Sequence, residues 1–394
     1  MTETEFFEYF EPINLNDLGF HRGQGYAKWG DKMIINLDGE PLKQIDKQTE
    51  IAIIGVREDR RSINNKGCSH APDEIRRCFY PLMPPKTEIK IMDCGNLHIG
   101  NEPTDTYIAL SEVMSYLLQK KILPIILGGS NDLAIGAYKA YSNLSQIINI
   151  FALDAKFDLI SDEDPVSDEN FLQEIICSEP NYLFDYTHAA YQTYFVDEQA
   201  LDLLDDLHFE RMRLGLMQSN LDRIEPLIRD ADMVIVDTNC IRASDAPCSP
   251  SPHGLYGEEF CKVINYAGMN DKLSAICFFG DNPINDIALR SSHVVAHALY
   301  YFIEGYLWRK HDFPYKGDDN YIKFHVVQQN GNEDVVFYKS KKSDRWWIEV
   351  PCTNEMRRKY IRHYIVPCLY EDYQAASMGK MPDRWIIAYN KLNI

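Results

Sequence analysis

Residues Ile122–Ile160 read ILPIILGGSNDLAIGAYKAYSNLSQIINIFALDAKFDLI, and this stretch decides the fold. Ile122–Leu127 is a short, Ile-rich apolar run, suited to a strand buried on both faces. Gly128 and Gly129 break it, and Asn131 or Asp132 caps a helix that begins near Leu133. A second apolar run, Ile147–Leu153, ends in Asp154-Ala155-Lys156-Phe157-Asp158. The unit is strand–helix–strand, with polar residues just past the carboxyl end of each strand. Open parallel sheets place their functional crevice there.

The same alternation continues on both sides. Ile51–Val56, Ile89–Met92, Met233–Val236 and Ala275–Phe279 read as buried strands. Tyr107–Gln119, Glu198–Leu207, Glu258–Ala267 and Ile287–Gly305 read as helices, and MRLGLM (residues 212–217) as a strand. The pattern predicts a three-layer α/β domain with a mainly parallel sheet over residues 49–309. Residues 1–48 read as an irregular N-terminal segment laid over that body. Residues 310–394 read as a C-terminal α+β appendage packed on the body. There, QNGNED joins two hairpin strands and Trp346 opens a further strand. Asn354–Met378 reads as a helix interrupted near Pro367, and Trp385–Tyr389 as a last strand. The appendage holds 14 Lys and Arg against 11 Asp and Glu, net +3, so the first 309 residues carry 26 − 48 = −22.

With 394 residues and 45% hydrophobic content the chain can bury one large core. A formal net charge of −19 argues against a general nucleic-acid binder. The 10 cysteines stand singly, with no CxxC pair, and are expected to be reduced, buried thiols of a cytoplasmic protein. The acidic N-terminus has no basic and apolar signal-peptide regions, and no apolar run approaches the roughly 20 residues of a membrane span.

Three blocks carry a family resemblance: GGSNDLAIG from Gly128, LDAKFD from Leu153, and Asp237-Thr-Asn239 after a later strand. In this order and spacing they resemble the ureohydrolases, the family of arginases, agmatinases and formimidoylglutamases. The Phe of DAKFD and the YQTYF after Ala190 lean toward the formimidoylglutamase branch. The resemblance implies a two-manganese site of two His and four Asp, hydrolysing a guanidinium or formimidoyl group. Carried over position by position, those ligands become Asn131, Asp154, Lys156, Asp158, Asp237 and Asn239. Both imidazoles are absent, and a lysine stands where one of them would be. The family's substrate-gripping Glu falls at Gly280, unless Asp281 serves from one residue later.

These departures imply no cofactor or a single divalent cation in place of the manganese pair. Lys156 is expected to substitute for the second ion by pairing with Asp154 and Asp237. Two functions follow. One is a degenerate ureohydrolase kept as a binding or scaffold protein; the other is a linear-amidine hydrolase with an altered or single-metal site. The implied partners are an amidine or amino-acid ligand, a protein partner for the appendage, and further copies of the chain. Three other features carry bland readings. His188 is a core or loop histidine, His293 and His297 serve helix packing, and the acidic stretch before Phe171 is a solvated loop.

Overall fold

A computed structural model describes residues 1–159, 165–314, 319–327 and 334–393. Residues 160–164 of the acidic loop and 328–333 of the hairpin turn lie outside them. The body is a ten-stranded sheet. Its strands are β1 (Phe10–Glu11), β2 (Ile34–Ile35), β3 (Ile51–Val56), β4 (Ile91–Leu97), β5 (Leu123–Leu127), β6 (Ile148–Leu153), β7 (Leu183–Tyr191), β8 (Glu210–Arg213), β9 (Met233–Asp237) and β10 (Ala275–Phe279). They run in the order β1-β4-β3-β5-β10-β9-β6-β7-β8, with β2 also on β4. Every pairing is parallel except β1 on β4.

Side chains alternate faces along a strand, so continuous apolar runs feed two cores. Ile51 and Ile53 of β3 join Ile276 and Phe278 of β10 on one face. Helices Ala71–Phe79, Ile224–Arg229, Gly257–Gly268 and Arg290–Leu307 cover that face. Ala52 and Ile54 join Ala275 and Cys277 on the other, under Pro103–Gln119, Ala134–Asn143, Phe171–Ile176 and Glu198–Asp206. This is the three-layer arrangement that the strand–helix alternation predicts. The N-terminal segment is more ordered than its sequence suggests. A helix at Glu3–Phe7, capped by Thr2 and Glu5, buries Phe6 and Phe7, and β1 and β2 extend the sheet edge.

The appendage is a separate four-stranded antiparallel sheet: β11 (Tyr321–Val326), β12 (Val335–Ser340), β13 (Trp346–Glu349) and β14 (Ile365–Cys368). Three expected elements differ. Asn354–Met378 divides into a short helix at Asn354–Lys359, strand β14, and a helix at Tyr370–Ser377. Pro367 lies in β14, an edge strand, where its missing N–H costs no ladder bond. Trp385–Tyr389 belongs to a helix, Asp383–Leu392, whose Trp385 and Tyr389 stack at i,i+4. The stretch at 212–217 ends β8 and then turns into a helix, Leu214–Ser219. Among the described residues, no helix is long and apolar enough to cross a membrane.

Candidate functional site

Four adjacent strands, β5, β10, β9 and β6, end side by side, and the six ligand positions that the resemblance implies lie at or just past the carboxyl ends of β5, β6 and β9. Gly128 and Gly129 both run at φ +78°, turning the chain out of β5 so that Asn131 faces inward. The Nδ2 of Asn131 donates to Asp237 Oδ2 and, at 3.4 Å, to Asp158 Oδ2. Its Oδ1 is buried and has no hydrogen-bond partner among the described residues. Asp237 Oδ1 accepts the Asn239 backbone N–H at 2.7 Å, and its Oδ2 accepts the Asn239 side-chain amide at 3.2 Å. Asp154 follows β6 and accepts the Lys156 N–H at 3.2 Å. Asp158 sits in the left-handed region at φ +48°, uncommon for an aspartate and typical of built sites.

The three acids repel one another in a desolvated place. Burial, then Asp237 and Asp158, push Asp154 well above the carboxylate range. Burial, then Asp237, raise Asp158 to about 7. Burial raises Asp237 to about 6 although Asn239 and Asn131 hydrogen-bond its charged form.

Lys156 departs from expectation. Its side chain is 37% exposed and its ammonium stands 3.7 Å from Glu169 Oε1, the one ion pair it makes among the described residues. The flexible stem carries a strongly hydrated charge to the mouth of the site rather than into the acid cluster. Burial opposes that charge. Glu169 first, then Asp158, Asp154 and Asp237, outweigh it and hold the lysine above its ordinary value.

Of the acidic stretch before Phe171, residues 160–164 lie outside the described residues, and Ser167–Asn170 are not a solvated loop. Asp168 accepts from Ser62 Oγ at 2.5 Å and from the Ile63 N–H at 2.9 Å. Glu169 accepts from Asn64 Nδ2 at 2.8 Å, and Ser167 and Asn170 are buried. The loop after β3 and the loop after β6 thus close one wall of the site. The sequence carries no signal for Asn64 as the partner of Glu169.

On the opposite wall, Gly280 comes too close to Asp237 to carry a side chain. Asp281 is buried and accepts from Ser292 Oγ at 2.6 Å, so it faces a helix and does not replace the missing Glu. His188 is a core residue whose Nε2 donates to the Asp154 carbonyl oxygen at 3.1 Å and whose Nδ1 accepts from Tyr186 OH at 2.8 Å. His293 and His297 are exposed on the helix Arg290–Leu307, with their ring centroids 6.2 Å apart.

The donor chemistry, carboxylate and amide oxygen, fits one hard divalent cation. Among the described residues no three His, Cys, Asp or Glu side chains stand in ligating geometry. The Asn131 NH2 lies between Asp158 and Asp237. Turning that amide over would present its unpartnered Oδ1 instead.

The arginase family model matches residues 49–304. The chain belongs to the arginase family. Its relatives place this arginase-family protein in the formimidoylglutamase branch of the ureohydrolases. It is 28% identical over 288 residues to a formimidoylglutamase of Staphylococcus haemolyticus, covering 67% of this chain and 89% of the relative. It is 29% identical over 278 residues to one of Hahella chejuensis, covering 64% and 84%. Trypanosoma cruzi formiminoglutamase crystallised with Mn2+ superposes at TM-score 0.63 and 17% identity, covering 68% of this chain and 96% of that one. Bacillus subtilis formimidoylglutamase superposes at 0.64 and 19%, covering 75% and 99%. At such identities the superpositions show the shared fold.

Proposed function

We propose that this protein hydrolyses a carbon–nitrogen bond of a linear amidine, with formimidoylglutamate the first substrate to test, at a site holding one divalent cation. The observation that carries this reading is the convergence of Asp158 and Asp237 on the Asn131 amide, with Asp154 close enough for both acids to raise its pKa, in a chain whose relatives are formimidoylglutamases. Asp154, Asp158, Asp237 and the Asn131 carbonyl would hold the cation, manganese by family precedent. A cation bound there supplies Lewis-acid activation of a water.

The remaining steps belong to this chain's own side chains. Asp158 can hold a cation only as a carboxylate, so its raised proton affinity, about 7 in the cation-free site, makes protons compete with cation uptake near neutral pH. Lys156, at the mouth, binds a carboxylate of the amino-acid end of the substrate. With Gly280 bare and Asp281 held by Ser292, Glu169 receives the cationic amidine. Asp168 is already satisfied by Ser62 and Ile63.

The test is loss of formimidoylglutamate, followed by mass spectrometry, with purified protein loaded with manganese. Asp237→Asn is the inactive control, and Lys156→Met should raise KM more than it lowers kcat. No turnover at any manganese load would instead favour the non-catalytic binding role, to which the bare Gly280 also points.

A further inference from the structure

At the other end of β9 and β10, away from the acid cluster, body and appendage enclose a cavity of about 350 Å3. Its walls include Arg229, Asp271, Asp312, Phe313, Trp347 and Ile361. Residues 310–394 lie beyond the match to the arginase family, so the cavity exists only because this chain carries its appendage.

Buried polar groups are nearly always hydrogen-bonded, and the exceptions call for explanation. Nine buried side-chain polar atoms lack a hydrogen-bond partner among the described residues, and four of them belong to Arg229, Asp271 and Asp312. Arg229 is 6% exposed and lies 4.4 Å over the Trp347 ring. Its Nη2 donates to the Trp346 and Cys368 carbonyls at 3.3 and 3.4 Å. Its Nε stands 3.0 Å from Glu225 without making a hydrogen bond, and its Nη1 has no partner. Asp312 is fully buried, with Oδ1 3.9 Å from Arg345 and likewise not hydrogen-bonded. Asp271 Oδ1 is 3.6 Å from the exposed ring of His311, again without a hydrogen bond.

Side chains of both signs, each with a buried unsatisfied atom, therefore belong to the wall of one cavity, beside the apolar Phe313, Trp347 and Ile361. The other strong cations at the wall, Lys272, Arg345 and Arg362, are paired with Asp230, Glu225 and Asp232, so a simple anion would meet two carboxylates and a simple cation the Arg229 guanidinium. A molecule with both charges on a small apolar body suits both. We propose that this cavity binds a free α-amino acid with an aromatic or aliphatic side chain. Its carboxylate goes to Arg229, its ammonium to Asp271 and Asp312, and its side chain to Trp347 and Phe313. The site is separate from the hydrolytic one and does not depend on it. Its volume is near the lower end of small-molecule pockets, about 300 Å3.

Isothermal titration of the full chain with phenylalanine, 3-phenylpropionate and phenethylamine tests the assignment. Phenylalanine should bind saturably at one per chain, and each single-charge analogue at least about ten-fold more weakly. Arg229 also supports the appendage, so Arg229→Gln can fail to fold. Ile361→Trp is the safer variant, because Ile361 is 61% exposed at the cavity wall. It should keep the circular dichroism spectrum and abolish phenylalanine binding. The proposal is overturned if neither phenylalanine nor leucine binds at millimolar concentration, if Ile361→Trp binds unchanged, or if 3-phenylpropionate binds as tightly as phenylalanine.

Discussion

At Gly280 the backbone runs at φ +79°, and a Cβ would stand 2.4 Å from Asp237 Oδ1. Gly280→Ala must therefore displace Asp237 or the turn after β10, at a cost on the order of 1–3 kcal/mol. Chemical denaturation should show that loss together with weaker manganese binding; an unchanged midpoint would mean that the turn yields freely. Asp158 and Asp237 give a second prediction. Their folded pKa values, about 7 and about 6, lie above the ordinary carboxylate value. The folded state then binds more protons than the unfolded state. Stability from this pair is fully present below the unfolded pKa and is lost as pH rises through 6 and 7. A cation opposes the same repulsion, so manganese should raise the melting temperature more at pH 8 than at pH 5. Equal shifts at both pH values would place the ion elsewhere. The triple change Asn131→His, Lys156→His, Asn239→Asp should move manganese uptake from one toward two ions per chain by elemental analysis. The acids of this site were legible in the sequence because a motif fixes which residue follows each strand. The direction of Lys156 was not, because it depends on Glu169, thirteen residues along the chain and held in place by Asn64.

At the scale of elements, the parallel strands were legible because burial on both faces leaves an uninterrupted apolar run with a glycine turn at its end. The helix Asp383–Leu392 was not. Only Ala388 and Leu392 of this element are buried, so the apolar WII cluster reads equally as a strand until packing chooses. Sheet β11–β14 chooses it, by taking Trp385 Nε1 onto the Glu349 carbonyl at 3.2 Å and leaving β14 as an edge. Arg384 anchors the same helix to the body through Glu210 at 3.1 Å, with the two side chains 13% and 17% exposed. Burial raises Glu210, and Arg384 counters that. Arg384→Met would strand a buried carboxylate, so a loss of about 3 kcal/mol is expected in urea unfolding. The double change Arg384→Met, Glu210→Leu should recover most of it. A double variant as unstable as the single one would show that the helix packs for other reasons.

Across the whole molecule, the appendage supplies the cation at each junction ion pair named here and the body the anion: Arg345 to Glu225, Arg362 to Asp232, Arg384 to Glu210 and Lys391 to Asp185. The net charges of +3 and −22 are thus used as a docking device, and the excess of basic residues after residue 309 finds its counter-charge within the chain. One junction residue makes docking depend on pH. His363 is 3% exposed, stacks on Phe184 of the body at 4.6 Å, and has its Nδ1 3.4 Å from the Lys272 ammonium. Burial first, then Lys272 and Arg362, hold its pKa well below 6.5, while the Ile147 carbonyl acts weakly the other way. The docked state therefore binds fewer protons than the undocked one. Docking strength is present above pH 6.5 and declines as pH falls below it. Backbone hydrogen exchange in β13 and β14, corrected for intrinsic rates, should rise between pH 7 and pH 5 while exchange in β5 and β10 stays slow. His363→Gln should flatten that rise, because the amide keeps an acceptor for Lys272 and takes no proton in this range. An equal rise in the variant, or parallel loosening of β5, would trace the acid response to the body, where His188 is held neutral with a pKa of about 3.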